Sequence, residues 1–157
     1  MTTSSLPAAI ASLLGILESS SAPALANVTI VDGPPADDIA TQDFLAVGWS
    51  GGEDQSAELV QDFNAAGART RDEEFTIACV IDVWNGDDGF AEVRNRAFAI
   101  LGVVEAELRA TAANPEAPTL NGAVLWAHLT RASLRQYFTD QGARVALGFT
   151  VSCHARI

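Results

Sequence analysis

The sequence predicts an α+β fold: a mainly antiparallel sheet of about six strands, with one long amphipathic helix and a short N-terminal helix packed on one face. Three observations carry this. Apolar residues recur at helical spacing in two segments, and several others run with the period of a strand. The elements follow the order helix, four strands, helix, two strands. Turn residues separate consecutive strands by short connections, which favours antiparallel pairing over a doubly wound parallel sheet. With 157 residues, 48% of them apolar, and no linker or internal repeat, residues 1–157 are expected to form a single domain.

The first helix follows Ser4 and Ser5, an N-cap signal reinforced by Pro7 in the first turn. Leu6, Ile10, Leu13, Leu14 and Leu17 form its apolar stripe, and Ser19 to Pro23 ends it. Ala8 to Leu17 followed by Ala24-Leu25-Ala26 also has the outline of a signal peptide. The residues ahead of it include no Lys or Arg, so the segment is expected to remain part of the folded chain.

Val28 to Val31 alternates as a strand and stops at the turn residues Asp32-Gly33-Pro34-Pro35. Phe44 to Trp49 is a second strand, Glu58 to Asn64 a third, and Ala65-Ala66-Gly67-Ala68 the turn after it. In the clearest strand, Glu74 to Trp84, the residues Phe75, Ile77, Cys79, Ile81 and Val83 face one way, and Asn85-Gly86 closes it. Asp87 or Asp88 is placed to cap the long helix. On that helix Phe90, Val93, Ala97, Ile100, Leu101, Val104 and Leu108 share a face, Glu105 and Arg109 pair at i,i+4, and Asn114-Pro115 is the expected end. Ala123 to Phe138 reads as a long strand with a bulge near Thr130, where its apolar phase breaks. After the Gln141-Gly142 turn, Val145, Leu147, Phe149, Val151, Cys153 and Ala155 point to the core from a strand that runs to the end of the chain.

Twenty acids against nine bases give a net charge of −11, the opposite of what a sequence-independent nucleic-acid binder needs. No apolar run approaches the ~20 residues of a membrane-spanning helix, so no membrane association is expected. The charge is divided along the chain: residues 1–92 carry −14 and residues 93–157 carry +3. Two unlike surfaces on one subunit suit head-to-tail contact between identical copies, although charges scattered over a solvated surface would give the same count.

The search for reaction chemistry turns up one motif. Gly48-Trp49-Ser50-Gly51-Gly52 matches the G-x-S-x-G nucleophile elbow, and His128 and His154 lie downstream. The elbow needs a helix directly after the Ser and oxyanion donors around it, whereas here Glu53 and Asp54 follow and no apolar helical period begins. A small serine hydrolase using Ser50 is therefore the alternative reading, and an acidic protein-binding domain a second one. Cys153 and His154 are strand neighbours, so they point to opposite faces and cannot chelate one ion together. Cys79 and Cys153 both fall on core-facing positions, as packed thiols or, if their strands adjoin, a disulfide. No cofactor motif is present, and an enzyme is not expected. Arg131, Ser133, Arg135 and Tyr137 share a face if the strand is regular there, as a phosphate stripe or, better suited to the overall charge, a subunit contact.

The whole ordering resembles a known family. The short N-terminal helix, Val31-Asp32-Gly33-Pro34, the strand ending Val47-Gly48-Trp49, and Glu73 to Cys79 leading to Val83-Trp84-Asn85-Gly86 carry the likeness. So do the helix with Arg94 and Arg96 and the final segment Val151-Ser152-Cys153-His154-Ala155-Arg156. Together they resemble the tail terminator (tail completion, minor tail protein U-like) proteins of long-tailed actinobacterial phages. The resemblance implies a small α+β subunit, without cofactor or covalent chemistry, that closes with copies of itself into a ring, usually a hexamer. That ring would cap the tail tube, end its polymerisation and provide the joining surface between tail and head. Its implied partners are the tail tube protein and the head-tail connector protein, and its place is the head-proximal end of the tail of a virion assembled in the host cytoplasm. Within such a ring, the acidic loops with Asp37, Asp38, Glu53, Asp54 and Glu58 are candidates to line a lumen through which DNA passes unbound, or to touch partners. Arg131, Arg135, Tyr137 and Arg156 are candidates for subunit contact.

Overall fold

The computed structural model describes residues 2–67, 69–86 and 89–157. Helix α1 spans Leu6–Glu18, and strands β1 Thr29–Asp32, β2 Phe44–Val47, β3 Ala57–Phe63 and β4 Arg71–Trp84 follow. Helix α2 spans Phe90–Glu107, and strands β5 Trp126–Thr139 and β6 Gly142–Arg156 complete the chain. The six strands form one sheet in the order β1-β2-β4-β6-β5, with β3 also paired to β4. Both helices pack on the same face, which makes the α+β architecture a two-layer one.

Strand β4 organises the sheet. On one side it pairs with β6 along nearly its whole length. On the other it takes two partners end to end, β3 along Arg71 to Ile77 and β2 along Cys79 to Asp82. One pairing departs from the sequence expectation: β1 runs parallel to β2. The residues between them, Gly33 to Asp43, are long enough to carry the chain back to the start of a parallel neighbour, which a tight hairpin turn cannot do.

The inner face of the sheet is the core. Ile77, Ile81, Val83, Val145, Leu147 and Val151 are fully buried there against Leu13 of α1 and Val93, Ala97 and Val104 of α2. These are the alternating positions of β4 and β6, and burying each large side chain contributes about 1.5–3 kcal/mol over leaving it exposed. Helix α1 is part of this core, with Leu13 and Leu17 closed off from solvent. Ser5 is its N-cap residue, but its hydroxyl makes no cap bond. Instead its backbone N–H donates to Oε1 of Glu73 at 2.8 Å, and Gln61 Nε2 donates to the other carboxylate oxygen. A fully buried acid on β4 thus anchors the start of the helix.

Several boundaries move. α2 ends at Glu107 rather than Asn114, because residues 109–116 offer no large apolar side chain to bury and stay exposed. β5 begins at Trp126, three residues later than expected. Leu120, Asn121 and Gly122 adopt positive φ and turn the chain into the strand. The bulge lies where the apolar phase indicated, between Leu129 and Arg131. The proposed caps Asp87 and Asp88 lie outside the described residues, as does Ala68 of the turn before β4. The N-cap position of α2 is Gly89, with no side-chain cap bond.

Candidate functional site

Among the described residues, the opposite, outer face of the sheet carries no helix. Its centre is made of the alternate residues of β4, β6 and β5 (Thr76 to Trp84, Arg144 to Arg156, and Arg131 to Tyr137), flanked by the outer residues of β2 and β3. The bulge precedes Arg131, so the strand is regular beyond it and Arg131, Ser133, Arg135 and Tyr137 do share one face. Arg131 and Arg135 are exposed, and the Arg135 guanidinium lies 5.4 Å from the Tyr137 ring centre. Arg156 stands at the far end of the face, where its Nε donates to Asp72 Oδ1 at 2.8 Å.

A loop from Gly48 to Ser56 lies over this face. The chain leaves β2 through Gly48 (φ 81°), whose N–H donates to the Ala78 carbonyl at 2.8 Å, and returns at Ser56, whose carbonyl accepts from Ala78 N at 2.9 Å. Both ends of the loop are therefore fastened to a single residue of β4. Gly51 (φ 87°) is pressed onto Val80, where an added Cβ would come within 3.2 Å of Val80 Cγ2. Only glycine combines that backbone angle with that approach.

The loop walls a groove of about 470 Å³, floored by Val80, Ala146 and Gly148 and faced by Arg135 and Tyr137. At its upper end Asp82 Oδ1 accepts from Arg144 Nε at 2.6 Å, and Arg144 Nη2 donates to the Ala40 carbonyl at 2.7 Å. Burial pushes the Asp82 carboxyl above its usual range, against the opposing pull of Arg144. A second groove of about 410 Å³ lies at the other end of the face, between β3 and the start of β5. There the Trp126 and His154 rings stack at 4.3 Å between centroids, and His154 Nδ1 stands 3.6 Å from Glu74 Oε1. Among the described residues no three His, Cys, Asp or Glu side chains are grouped to hold a metal ion.

Ser50 lies in the first groove and the two histidines elsewhere, His128 and His154 both lining the second. The Ser50 hydroxyl donates to the Asp54 carbonyl at 3.1 Å and accepts from Gly52 N at 3.4 Å, closing its own loop. The residues after it lead into β3 and not into a helix, so the strand-to-helix geometry of a nucleophile elbow is missing. Cys79 and Cys153 are free thiols on the inner face, and burial pushes both up to about 12. At that value neither is an activated nucleophile near neutral pH.

The acids singled out in the sequence are all exposed, but they fall in three places. Asp37 and Asp38 are in the β1–β2 connection, Glu53 and Asp54 in the loop over the outer face, and Glu58 on β3. Exposed apolar side chains on the inner side of the two sheet edges went unnoticed: Leu59 and Phe63 on β3, and Leu134 and Phe138 on β5, with Phe98 of α2 also exposed. The two-residue spacing in each strand, read against the edge position, was the available signal.

No family model and no curated protein matches the sequence. A solved structure does: a chain in the virion of a native gene transfer agent particle superposes with a TM-score of 0.56. The match covers 98% of this chain and 100% of that one at 13% identity. At this identity the likeness is one of fold, and it extends over the full length of both chains.

Proposed function

We propose that this chain is a structural subunit of a phage-like tail, forming a ring with copies of itself that caps the head-proximal end of the tail tube. The observation that carries the reading is the end-to-end fold likeness to a chain of a gene transfer agent virion. The sequence resemblance to tail terminators, reached from different features, points to the same class of particle. In this reading the ring is hexameric, stops tube polymerisation, and offers one surface to the tail tube protein and another to the head-tail connector protein. The work is done by shape and charge complementarity, with no cofactor and no bond making. The exposed acids Asp37, Asp38, Glu53 and Asp54 are assigned to surfaces near the passing DNA, where like charge keeps phosphates from adhering.

Removing the gene from a particle-producing strain tests this directly. Electron microscopy is expected to show tubes of uncontrolled length and heads without tails, both corrected by supplying the gene in trans. Joined particles with tubes of normal length would overturn the proposal.

A further inference from the structure

The sheet ends in β5 on one side, and on the other β3 borders β4 end to end with β2, with β1 one strand further out; β3 and β5 are unlike in charge and alike in apolar pattern. β5 pairs only with β6, and β3 only with β4, so each has a free edge among the described residues. We propose that these edges pair between copies: β5 of one subunit adds, antiparallel, to β3 of the next. This gives the ring reading its contact surface and rests on it.

Direction and face follow from the topology. β5 is antiparallel to β6, β6 to β4, and β4 to β3, which makes β5 and β3 of one copy antiparallel. Copies related by rotation about an axis running along the strands keep both strand direction and sheet face. β5 then meets the next β3 in the antiparallel sense, outer residues beside outer residues. On the outer face β5 presents Arg131 and Arg135, and β3 presents Glu58 and Asp62. None of the four forms an ion pair within the described chain.

The spacing is the same in both pairs, four residues, so one register satisfies them together. Arg131 opposes Asp62, Arg135 opposes Glu58, and Ser133 lies between them opposite Val60. That register also sets Leu134 against Leu59 on the inner face. Leu134 is 41% exposed and Leu59 43% in the single chain, and Val60 is 70% exposed. A charged row alone keeps a sheet edge from pairing. Two rows of opposite sign and equal spacing instead select each other and reject self-pairing. The contact is heterologous, so its repetition closes into a ring when the rotation allows.

Covalent capture tests the register. A chain carrying both Leu59→Cys and Leu134→Cys should, on mild oxidation at the highest soluble concentration, yield a ladder of disulfide-linked multimers. Either substitution alone should not, and the two single variants mixed should stop at a dimer. In the double-cysteine background, Arg131→Glu with Arg135→Glu should lower the yield roughly tenfold, as should Glu58→Arg with Asp62→Arg. Mixing those two reversed chains should restore it, because each then meets its complement, and closed products should contain even numbers of subunits. Failure to form interchain disulfides, or a ladder indifferent to both reversals, would overturn the pairing. A native mass spectrum showing closed rings without the 59–134 link would reject this contact while leaving the ring intact. A link that forms in a protein whose loss leaves tails normal would keep the contact and remove the tail function.

Discussion

The inner and outer faces of this sheet are made from alternate residues of the same strands, and they serve different ends. Apart from Glu73, the buried inner positions of β4 and β6 are Phe, Ile, Cys, Val, Leu and Ala, closed off by two helices. From Arg144 onward the outer positions of β6 are Arg144, Ala146, Gly148, Thr150, Ser152, His154 and Arg156, met by the Gly48–Ser56 loop and, at Arg144, by the Ala40 carbonyl. The helix-packed core therefore lies on one side, and the other carries grooves, small residues and the exposed Arg131 and Arg135. On the outer face Phe44, Ala46, Val80 and Ala146 are buried, but no helix of the described residues covers it, so the exposed remainder and the sheet edges are open to other molecules.

The sharpest way to break this contrast is to excavate the inner face. Leu147 is fully buried and opposes Ile81 on β4 and Leu134 on β5. Leu147→Ala should cost about 2–5 kcal/mol in urea denaturation, from lost transfer energy and the remaining cavity. Thr150→Ala, three residues along on the outer face, should stay within about 0.5 kcal/mol. Equal costs would mean that the outer face is as tightly packed as the inner one.

Next in size is the buried carboxylate. Glu73→Ala removes the acceptor for Ser5 N–H and the partner of Gln61, and should cost about 1–3 kcal/mol. Hydrogen exchange should locate the damage in the first turns of α1. A uniform loss of protection across the sheet would instead show that Glu73 supports β4 rather than the helix.

What could be read in the sequence divides along the same line. The inner face was legible because burial imposes a period: every second residue from Phe75 to Val83 and from Val145 to Ala155 is buried and apolar, and α2 repeats its stripe from Val93 to Leu108. The order of elements and the bulge before Arg131 followed from the same signal. Pairing partners were not legible. Nothing local distinguishes β1 as the parallel neighbour of β2, nor shows that β2 and β3 share one edge of β4, because both depend on where long connections return. Glu73 was equally hidden, since it looks like a surface acid until Ser5 and Gln61, distant in sequence or on another strand, converge on it. The central groove depends on the loop over Val80, whose path is set by three backbone bonds to Ala78 and not by any periodic pattern.

The thiols sharpen the contrast through pH. Burial raises Cys79 and Cys153 from 9.0 to about 12 in the folded chain, so the native state holds protons that the unfolded chain releases above its own value. Their contribution to stability is thus complete below pH 9.0 and declines as the pH climbs from there toward 12. The urea midpoint should fall over that window more steeply for the natural chain than for Cys79→Ala with Cys153→Ala. Thiol reagents at pH 8 should label neither cysteine until the protein unfolds. Rapid labelling of the native chain would show that the inner face opens readily.

The smallest effects should come from two glycines of the outer face, and their signs should be opposite. At Gly148 an added Cβ meets nothing within 4 Å, and the residue carries no positive φ. It pays the entropic penalty of a strand glycine without using its freedom, so Gly148→Ala should stabilise by up to about 1 kcal/mol. Gly51 has φ 87° and sits against Val80 at 3.2 Å, so Gly51→Ala should destabilise by at least about 1 kcal/mol. Both glycines belong to the same groove, one in its floor and one in its wall. A gain at Gly148 therefore means that the floor is kept empty at the expense of folding, as a surface reserved for a contact would be. A loss there would mean that the groove is already filled within the monomer, and the division between a stabilising face and a contacting one would no longer hold at the centre of the sheet.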